Sequence, residues 1–273
     1  MRPIGGISLS EPKKQNYLHG AAILAAGVVI MKILGFIYKV PLGNILGDEG
    51  YTHFLVAYNI YSVFLTVATA GLPVALSRMI SEANTMNRPN QVKRIFSVAW
   101  LTFLVLGVVC TLVMFLFPTE LADSLNDVEA SQSILALSPA VLLVCLTSAY
   151  RGYCQGHENM KPTTVGQVLE VLVKVVVGLV LAWYLRDLGR SLPLVSAGAI
   201  FGVTAGSLAA LVYMFAYKRR CYSALPAGND VPESGARILS TLLKVGIPIT
   251  LGSSVLSLIN LVDSGLCMGR LQD

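Results

Sequence analysis

The sequence predicts an all-α membrane protein with about seven transmembrane helices and a cytoplasmic N-terminus. Of its 273 residues, 55% are hydrophobic and only 13% are charged, whereas a soluble domain has about 25% charged residues. Mean hydropathy is +0.68. Apolar stretches of the length that a ~30 Å hydrocarbon core requires, about 20 helical residues, recur along the chain. These observations place the chain among multi-pass membrane proteins.

The distribution of Lys and Arg predicts the orientation. Loops on the cytoplasmic side of a membrane protein carry an excess of these residues. With the N-terminus inside, two basic residues fall in outer loops, Arg186 and Arg190. Thirteen fall on the inner side: Arg2, Lys13, Lys14, Arg78, Arg88, Lys93, Arg94, Arg151, Lys161, Lys218, Arg219, Arg220 and Arg237. The net charge of +5 is explained by this sorting and does not indicate a nucleic-acid partner.

The first two helices are expected at residues 18–40 and 51–80. Pro41 and Gly43 are expected to end the first, and residues 42–50 to form a short turn. The second contains a Gly-Leu-Pro step at residues 71–73. Proline removes a backbone donor, so this step should loosen the helical hydrogen bonding.

Five further helices are expected, at residues 95–117, 134–153, 162–185, 194–217 and 238–267. The outer loop at residues 119–131 contains four acidic residues and no basic residue. Gly198, Gly202 and Gly206 recur every fourth residue, which is typical of a face for close helix contact. We therefore expect a cytoplasmic segment (1–17), a six-helix lobe (18–217), a cytoplasmic loop (218–236) and a seventh helix within residues 237–273.

Two lysines in the first helix are the strongest functional signal. Lys32 lies near the middle of the helix, and Lys39 follows two turns later on nearly the same face. A lysine at bilayer depth costs roughly 2.5–3.5 kcal/mol on insertion scales. Lys32 has no acidic residue three or four positions away. The pattern favours an aqueous path for an anionic substrate, although Lys39 is also placed to extend to the outer headgroups.

The fifth helix carries Glu170 and Lys174, four residues apart with the acid first, the favoured order for a helical ion pair. Two interpretations stay open. The pair is either a self-neutralised structural contact, or Lys174 binds an anionic ligand while Glu170 binds a proton or cation. Asp263 in the seventh helix is a second candidate for ion coupling, and Arg78 at the inner end of the second helix is either a substrate contact or a topology charge.

Other chemical classes find no support in the sequence. It has no phosphate-binding GxxxxGK[ST] loop, no GxSxG nucleophile motif and no HExxH zinc motif. The five cysteines have no CxxC spacing and the three histidines are scattered. We therefore expect no enzyme activity, no cofactor, no metal site, and reduced cysteines.

Several segments, in order along the chain, resemble one transporter family. They are residues 32–42 (KILGFIYKVPL), 46–50 (LGDEG), 71–82 (GLPVALSRMISE), 150–153 (YRGY), 155–156 (QG), 159–160 (NM), 162–163 (PT), 167–170 (QVLE), 248–250 (PIT) and 260–263 (NLVD). They are similar to the polysaccharide-biosynthesis flippases, most of all the stage V sporulation protein B type. That family belongs to the multidrug/oligosaccharidyl-lipid/polysaccharide (MOP, MATE-like) exporter superfamily.

The resemblance implies a fold of two six-helix lobes facing a central cavity. It implies transport of an undecaprenyl-pyrophosphate-linked oligosaccharide or peptidoglycan precursor by alternating access in the bacterial cytoplasmic membrane, for polysaccharide, cell-wall or spore-cortex synthesis. Lys32 and Lys39 match positions where the family's first helix carries basic residues. The implied partners are membrane lipids and a lipid-linked anionic glycan. A separate second lobe, a homo-oligomer and the coupling ion are left open.

Family members are roughly twice as long as this chain, which matches the first lobe and the opening helix of the second. We therefore expect a truncated or split form of the carrier. Two alternatives remain: a cation-coupled small-molecule (multidrug) antiporter that uses Glu170 and Asp263, and an inactive membrane fragment that needs a partner lobe.

Overall fold

The computed structural model describes residues 17–69, 71–222 and 228–272, without the side chains of 17–21, 67, 253, 254, 256–258 and 260–272. The described residues are helical apart from short connections and contain no strand. The helices are α1 (Tyr17–Thr69), α2 (Leu72–Thr85), α3 (Pro89–Leu116), α4 (Pro118–Asp123), α5 (Ser131–Gly156), α6 (Lys161–Asp187), α7 (Leu192–Cys221) and α8 (Gly235–Gln272), with a 3₁₀ turn at Val128–Ala130.

Helix α1 reverses direction at Gly47. This residue has φ 67° and ψ −175° inside an otherwise helical segment, a conformation that glycine adopts at little cost. The rings of Tyr38 and Phe54 lie 6.2 Å apart, whereas 16 residues of straight helix would separate them by about 24 Å. Helix α1 is therefore two arms folded against each other, which agrees with the two helices expected from the sequence.

The turn between the arms is shorter than the sequence predicts. Pro41 lies inside the helix, and residues 42–46 continue it. The predicted end at residue 40 is therefore wrong by about two turns. In a membrane helix, neighbouring helices and local adjustments accommodate the backbone carbonyl that proline leaves unpaired. The conformation of Gly47, rather than the ring of Pro41, ends the first arm.

A second break separates the second arm from α2, at the Gly-Leu-Pro step that was expected to loosen this helix. Helix α8 packs on this break. The Gly71 amide donates a hydrogen bond to Thr250 Oγ1 of α8 at 3.1 Å, and a Cβ at Gly71 would collide with the Gly246 carbonyl. The start of the predicted second lobe is thus anchored where the first lobe's helix is interrupted.

Helix α5 is the central element of the lobe. It packs against α7, α3, α1 and α2, while α6 lies along α7 and α1. By length and composition, five of the described helices could cross a membrane: Ala22–Thr66 of α1, α3, Val128–Gly156 with α5, α6, and α7. Because α1 reverses, its segment can supply two crossings. The count of seven, the cytoplasmic N-terminus and the domain boundaries stay predictions.

Helices α6 and α7 approach closely along the predicted glycine face. A Cβ at Gly202 would lie 2.6 Å from the Lys174 carbonyl oxygen and 2.7 Å from the Cα of Gly178, and one at Gly206 would collide with the Glu170 carbonyl. Small residues let helix backbones approach in this way. The contact fixes the part of α6 that carries Glu170 and Lys174.

Candidate functional site

An ion pair joins α5 and α6 inside the lobe. Arg151 Nη2 donates to Glu170 Oε2 at 2.5 Å, and the two side chains are 15% and 21% exposed. Ser207 of α7 donates a longer hydrogen bond, 3.3 Å, to the other carboxylate oxygen. Glu170 is therefore held by side chains from both neighbouring helices.

The charge pairing differs from the interpretation in which Glu170 and Lys174 neutralise each other. The Glu170 carboxylate forms its salt bridge with Arg151. Among the described side chains, no carboxylate lies within 4.0 Å of the Lys174 amine. The planar guanidinium can bind a carboxylate with directed hydrogen bonds, which a lysine one turn away on the same helix cannot match.

Lys174 instead faces aromatic rings of α1. Its amine lies 5.6 Å from the ring centre of Tyr38 and 5.1 Å from that of Tyr58. A cation over an aromatic face is stabilised by the ring quadrupole. The Tyr38 hydroxyl donates to the Ala199 carbonyl of α7 at 3.1 Å, so this ring is fixed against the lobe. Lys174 is thus half-buried between α6 and both arms of α1.

Lys32 and Lys39 lie on a different face of α1. Both are exposed, next to exposed apolar residues such as Phe36, which is 71% accessible. Tyr38 is buried on the side that faces the lobe, and helical geometry puts both lysines about 100–120° away from it. The structure therefore groups Lys32 with Lys39 but does not bring them onto the face that contacts Lys174.

The remaining candidates are dispersed. Arg78 is exposed on α2. Asp263 belongs to α8, but its side chain lies outside the described residues. Among the described side chains, Arg78 does not contact the Glu170 ion pair, and the roles of Arg78 and Asp263 remain predictions.

Sequence reasoning treated Arg151 as an orientation charge and missed it as the partner of Glu170. The spacing gave no signal, because Arg151 lies five residues before the end of α5 and Glu170 nine residues after the start of α6. Tyr38 and Tyr58 gave none either, since aromatic residues are common in apolar helices for packing alone.

Chemically, the lobe offers fixed cations of two kinds. Lys32 and Lys39 are accessible amines on an apolar surface, and Lys174 and Arg151 are cations held by rings or a carboxylate. Arg151 Nε is buried with no hydrogen-bond partner among the described residues. Such an arrangement suits charge-assisted binding of an anion such as a phosphate group.

Comparison with known proteins identifies relatives over nearly the whole chain. The model of the family described as "Polysaccharide biosynthesis protein" matches residues 17–273. Stage V sporulation protein B of Bacillus subtilis (strain 168) is 30% identical over 241 residues, which cover 87% of this chain and 46% of the relative. The lipid II flippase MurJ of the same organism is 26% identical over 262 residues, covering 90% of this chain and 48% of the flippase.

A solved structure of a MATE transporter in the straight conformation has the same fold over this region. It superimposes with a TM-score of 0.71 at 17% sequence identity, covering 87% of this chain and 53% of the transporter. The chain therefore spans about half the length of the curated relatives it matches.

Proposed function

This chain belongs to the polysaccharide biosynthesis protein family, and from that membership we propose that it forms one lobe of a lipid-linked glycan flippase. Its relatives include flippases and its fold is that of MATE transporters, so it is a multi-pass membrane protein of the MOP superfamily. The proposed substrate is an undecaprenyl-pyrophosphate-linked oligosaccharide or peptidoglycan precursor, moved across the cytoplasmic membrane by alternating access.

The observation that carries the proposal is the pair of exposed lysines on α1. Lys32 and Lys39 share an apolar face, and among the described side chains no carboxylate lies within 4.0 Å of either amine. A cation on a surface of this kind costs several kcal/mol if it faces hydrocarbon. The cost is avoided if the face lines a water-filled cavity between two lobes, where the lysines meet the pyrophosphate of the substrate.

Lys174 is proposed as a further contact that becomes available when the arms of α1 move. In the present conformation its amine is occupied by Tyr38 and Tyr58. A charge-assisted hydrogen bond to phosphate is stronger than a cation–ring contact. A substrate phosphate within reach would therefore draw the amine away from the rings. Arg78 is proposed as a contact at the inner mouth of the path.

A second candidate function is a cation-coupled antiporter for small molecules. The observation that favours it is Glu170, an acid within an apolar helix of a lobe with the MATE fold. Intramembrane acids commonly serve ion coupling. Glu170 and Asp263 would then bind the coupling cation, and transport would follow its gradient.

The test uses proteoliposomes that contain this lobe together with a second lobe, joined or co-expressed. The readout is translocation of a fluorescent undecaprenyl-pyrophosphate glycan. Lys32→Ala with Lys39→Ala should abolish translocation while membrane insertion is normal, and Lys161→Ala, which removes an exposed charge at the start of α6, should have no effect. Full translocation by the double variant would refute the proposal.

The same system separates the alternatives. Drug uptake that follows a Na⁺ or H⁺ gradient and is lost in Glu170→Gln would favour the antiporter. Full activity without any second lobe would exclude the idea that this lobe requires a partner.

A further inference from the structure

A buried histidine lies at the start of the second arm of α1. His53 is 6% exposed, and its Nδ1 lies 2.8 and 2.7 Å from the two carboxylate oxygens of Asp127. Asp127 directly precedes the 3₁₀ turn before α5 and is itself 8% exposed. The contact joins segments 74 residues apart in the sequence. Both segments fall on the outer side in the predicted orientation.

The other ring nitrogen points into a group of acidic side chains. His53 Nε2 is buried and has no hydrogen-bond partner among the described residues. It lies 3.3 Å from Glu129 Oε2. Glu49, one helical turn before His53, brings a further carboxylate, and the three ligand atoms of Glu49, His53 and Glu129 all lie within 4.8 Å of one another.

These distances suit a bound metal ion. Zinc binds imidazole nitrogen and carboxylate oxygen at about 2.0–2.2 Å with tetrahedral geometry, which separates neighbouring ligand atoms by about 3.4 Å. The separation of His53 Nε2 and Glu129 Oε2 is close to that value. Two carboxylates that converge on one point repel each other unless a cation lies between them. The exposed Glu49 side chain has the freedom to complete the site.

Asp127 supplies the support that such sites use. A metal-binding histidine usually donates its second ring N–H to a carboxylate, which fixes the tautomer and the ring orientation. A hydrogen bond from Nδ1–H to Asp127 leaves the lone pair of Nε2 directed toward Glu129. Nε2 is thus placed to bind a metal ion, while Nδ1 makes the contact that orients the ring.

We infer that Glu49, His53 and Glu129 bind a divalent transition-metal ion, with Zn²⁺ the best match, and that Asp127 positions His53. The fourth ligand would be water. The ion would tie the turn between the two arms of α1 to the segment that leads into α5. The sequence predicted no metal site because the histidines are scattered, and only the fold brings His53 next to acids from another loop.

Zinc binding by the whole chain tests the site. The chain is purified in detergent without an affinity tag, with Cys221→Ser in every protein to remove the exposed thiol. Zn²⁺ affinity is measured by competition with a chromophoric chelator. We expect one equivalent of Zn²⁺, lost in Glu49→Gln and in Glu129→Gln. Both residues are exposed, so neither change should prevent folding. Asp127→Asn should weaken binding about 10–100-fold.

The matched control is Asp123→Asn, which removes an acid from the same outer loop and should retain the equivalent of Zn²⁺. Zn²⁺ should also raise the unfolding temperature of the Cys221→Ser protein but not of its Glu49→Gln variant, because a ligand stabilises only the state that binds it. Unchanged affinity in both glutamine variants would overturn the inference. His53 would then serve only to join Asp127 and Glu129.

Discussion

The Arg151 guanidinium on α5 and the Glu170 carboxylate on α6 form an ion pair with Nη2 and Oε2 2.5 Å apart. Both groups are mostly enclosed by the lobe, and Ser207 on α7 completes the contact. The pair links the central helix to the two helices beside it. It therefore serves the packing of the lobe whatever further role Glu170 has in transport.

Breaking this pair on one side should destabilise the lobe. Arg151→Met leaves Glu170 as an uncompensated charge, and we expect a loss of roughly 2–3 kcal/mol, in the lower part of the range for truncating one partner of an enclosed charge pair. The double change Arg151→Met with Glu170→Met should recover most of the loss. Thermal unfolding can be followed with a thiol-reactive dye, because Cys110, Cys145 and Cys154 are free and buried.

The control for the ion pair is the salt bridge between Glu233 and Arg237. Its Oε2 and Nε atoms lie 3.7 Å apart, and the arginine side chain is 75% exposed. Glu233→Gln should change stability by less than about 1 kcal/mol. If Arg151→Met unfolds at the same temperature as the unmodified protein, the ion pair contributes nothing to the lobe.

Alanine substitution of two glycines should affect stability differently, because only one of them lies at the contact between α6 and α7. Gly202→Ala should destabilise the protein by about 1–3 kcal/mol through overpacking, because the new Cβ would lie 2.6 Å from the Lys174 carbonyl oxygen. Gly35→Ala on α1 meets nothing within 4 Å and should be neutral or slightly stabilising. The same thermal assay compares them, and equal unfolding temperatures would contradict the close approach of these helices.

A loop aspartate should hold the N-terminus of α3 in a pH-dependent way. Asp230 accepts hydrogen bonds from the Asn90 and Gln91 amides at 3.1 and 2.8 Å. Desolvation acts to raise the pKa of Asp230, but these hydrogen bonds and the nearby Arg88 outweigh it and hold the pKa below the ordinary value of 3.8. The contact is then complete above about pH 4 and lost as the pH falls through the lowered pKa.

Hydrogen exchange of the two amides measures this contact. In the unmodified protein, protection corrected for the intrinsic rate should hold from neutral pH to about pH 4 and fall below it. In Asp230→Ala, protection should be weak at every pH. Equal protection in both proteins at neutral pH would show that Asp230 does not hold these amides.

Labelling of a native cysteine tests the predicted orientation of the chain in the membrane. Cys221 at the end of α7 is exposed, while Cys110, Cys145 and Cys154 are buried. In a Cys267→Ser background, a membrane-impermeant maleimide should label Cys221 only after the cells are permeabilised. Labelling in intact cells would place this loop outside and reverse the assigned topology.

Much of the fold could be predicted from the sequence because apolar length and proline or glycine positions determine where membrane helices begin and end. The Gly-Leu-Pro step was expected only to loosen a single helix over residues 51–80, whereas a separate helix, α2, begins at Leu72. Helices α6 and α7 extend a few residues beyond their predicted bounds. The end of the first helix was misplaced. Proline is a weaker stop in a membrane helix than in a soluble one, so Pro41 was given too much weight.

The site could be predicted only in part. Charges in apolar helices identified Glu170 and Lys174, since such residues are costly wherever they lie. Their partners depend on how helices pack, and the rings of Tyr38 and Tyr58 reach Lys174 only because α1 folds back at Gly47. The contact of His53 with Asp127 joins two segments that are 74 residues apart in the sequence, and no local sequence pattern predicts it.

Binding of a lipid pyrophosphate to the purified chain tests the central claim most directly, which is that the exposed lysines of α1 bind an anionic substrate. Affinity for undecaprenyl pyrophosphate is measured in detergent for the unmodified chain, Lys32→Ala, Lys39→Ala and the control Lys161→Ala. Each α1 variant should bind about 10–100-fold more weakly, the loss expected for one charge-assisted contact, and the control should bind normally. Equal affinity in all four proteins would contradict the claim.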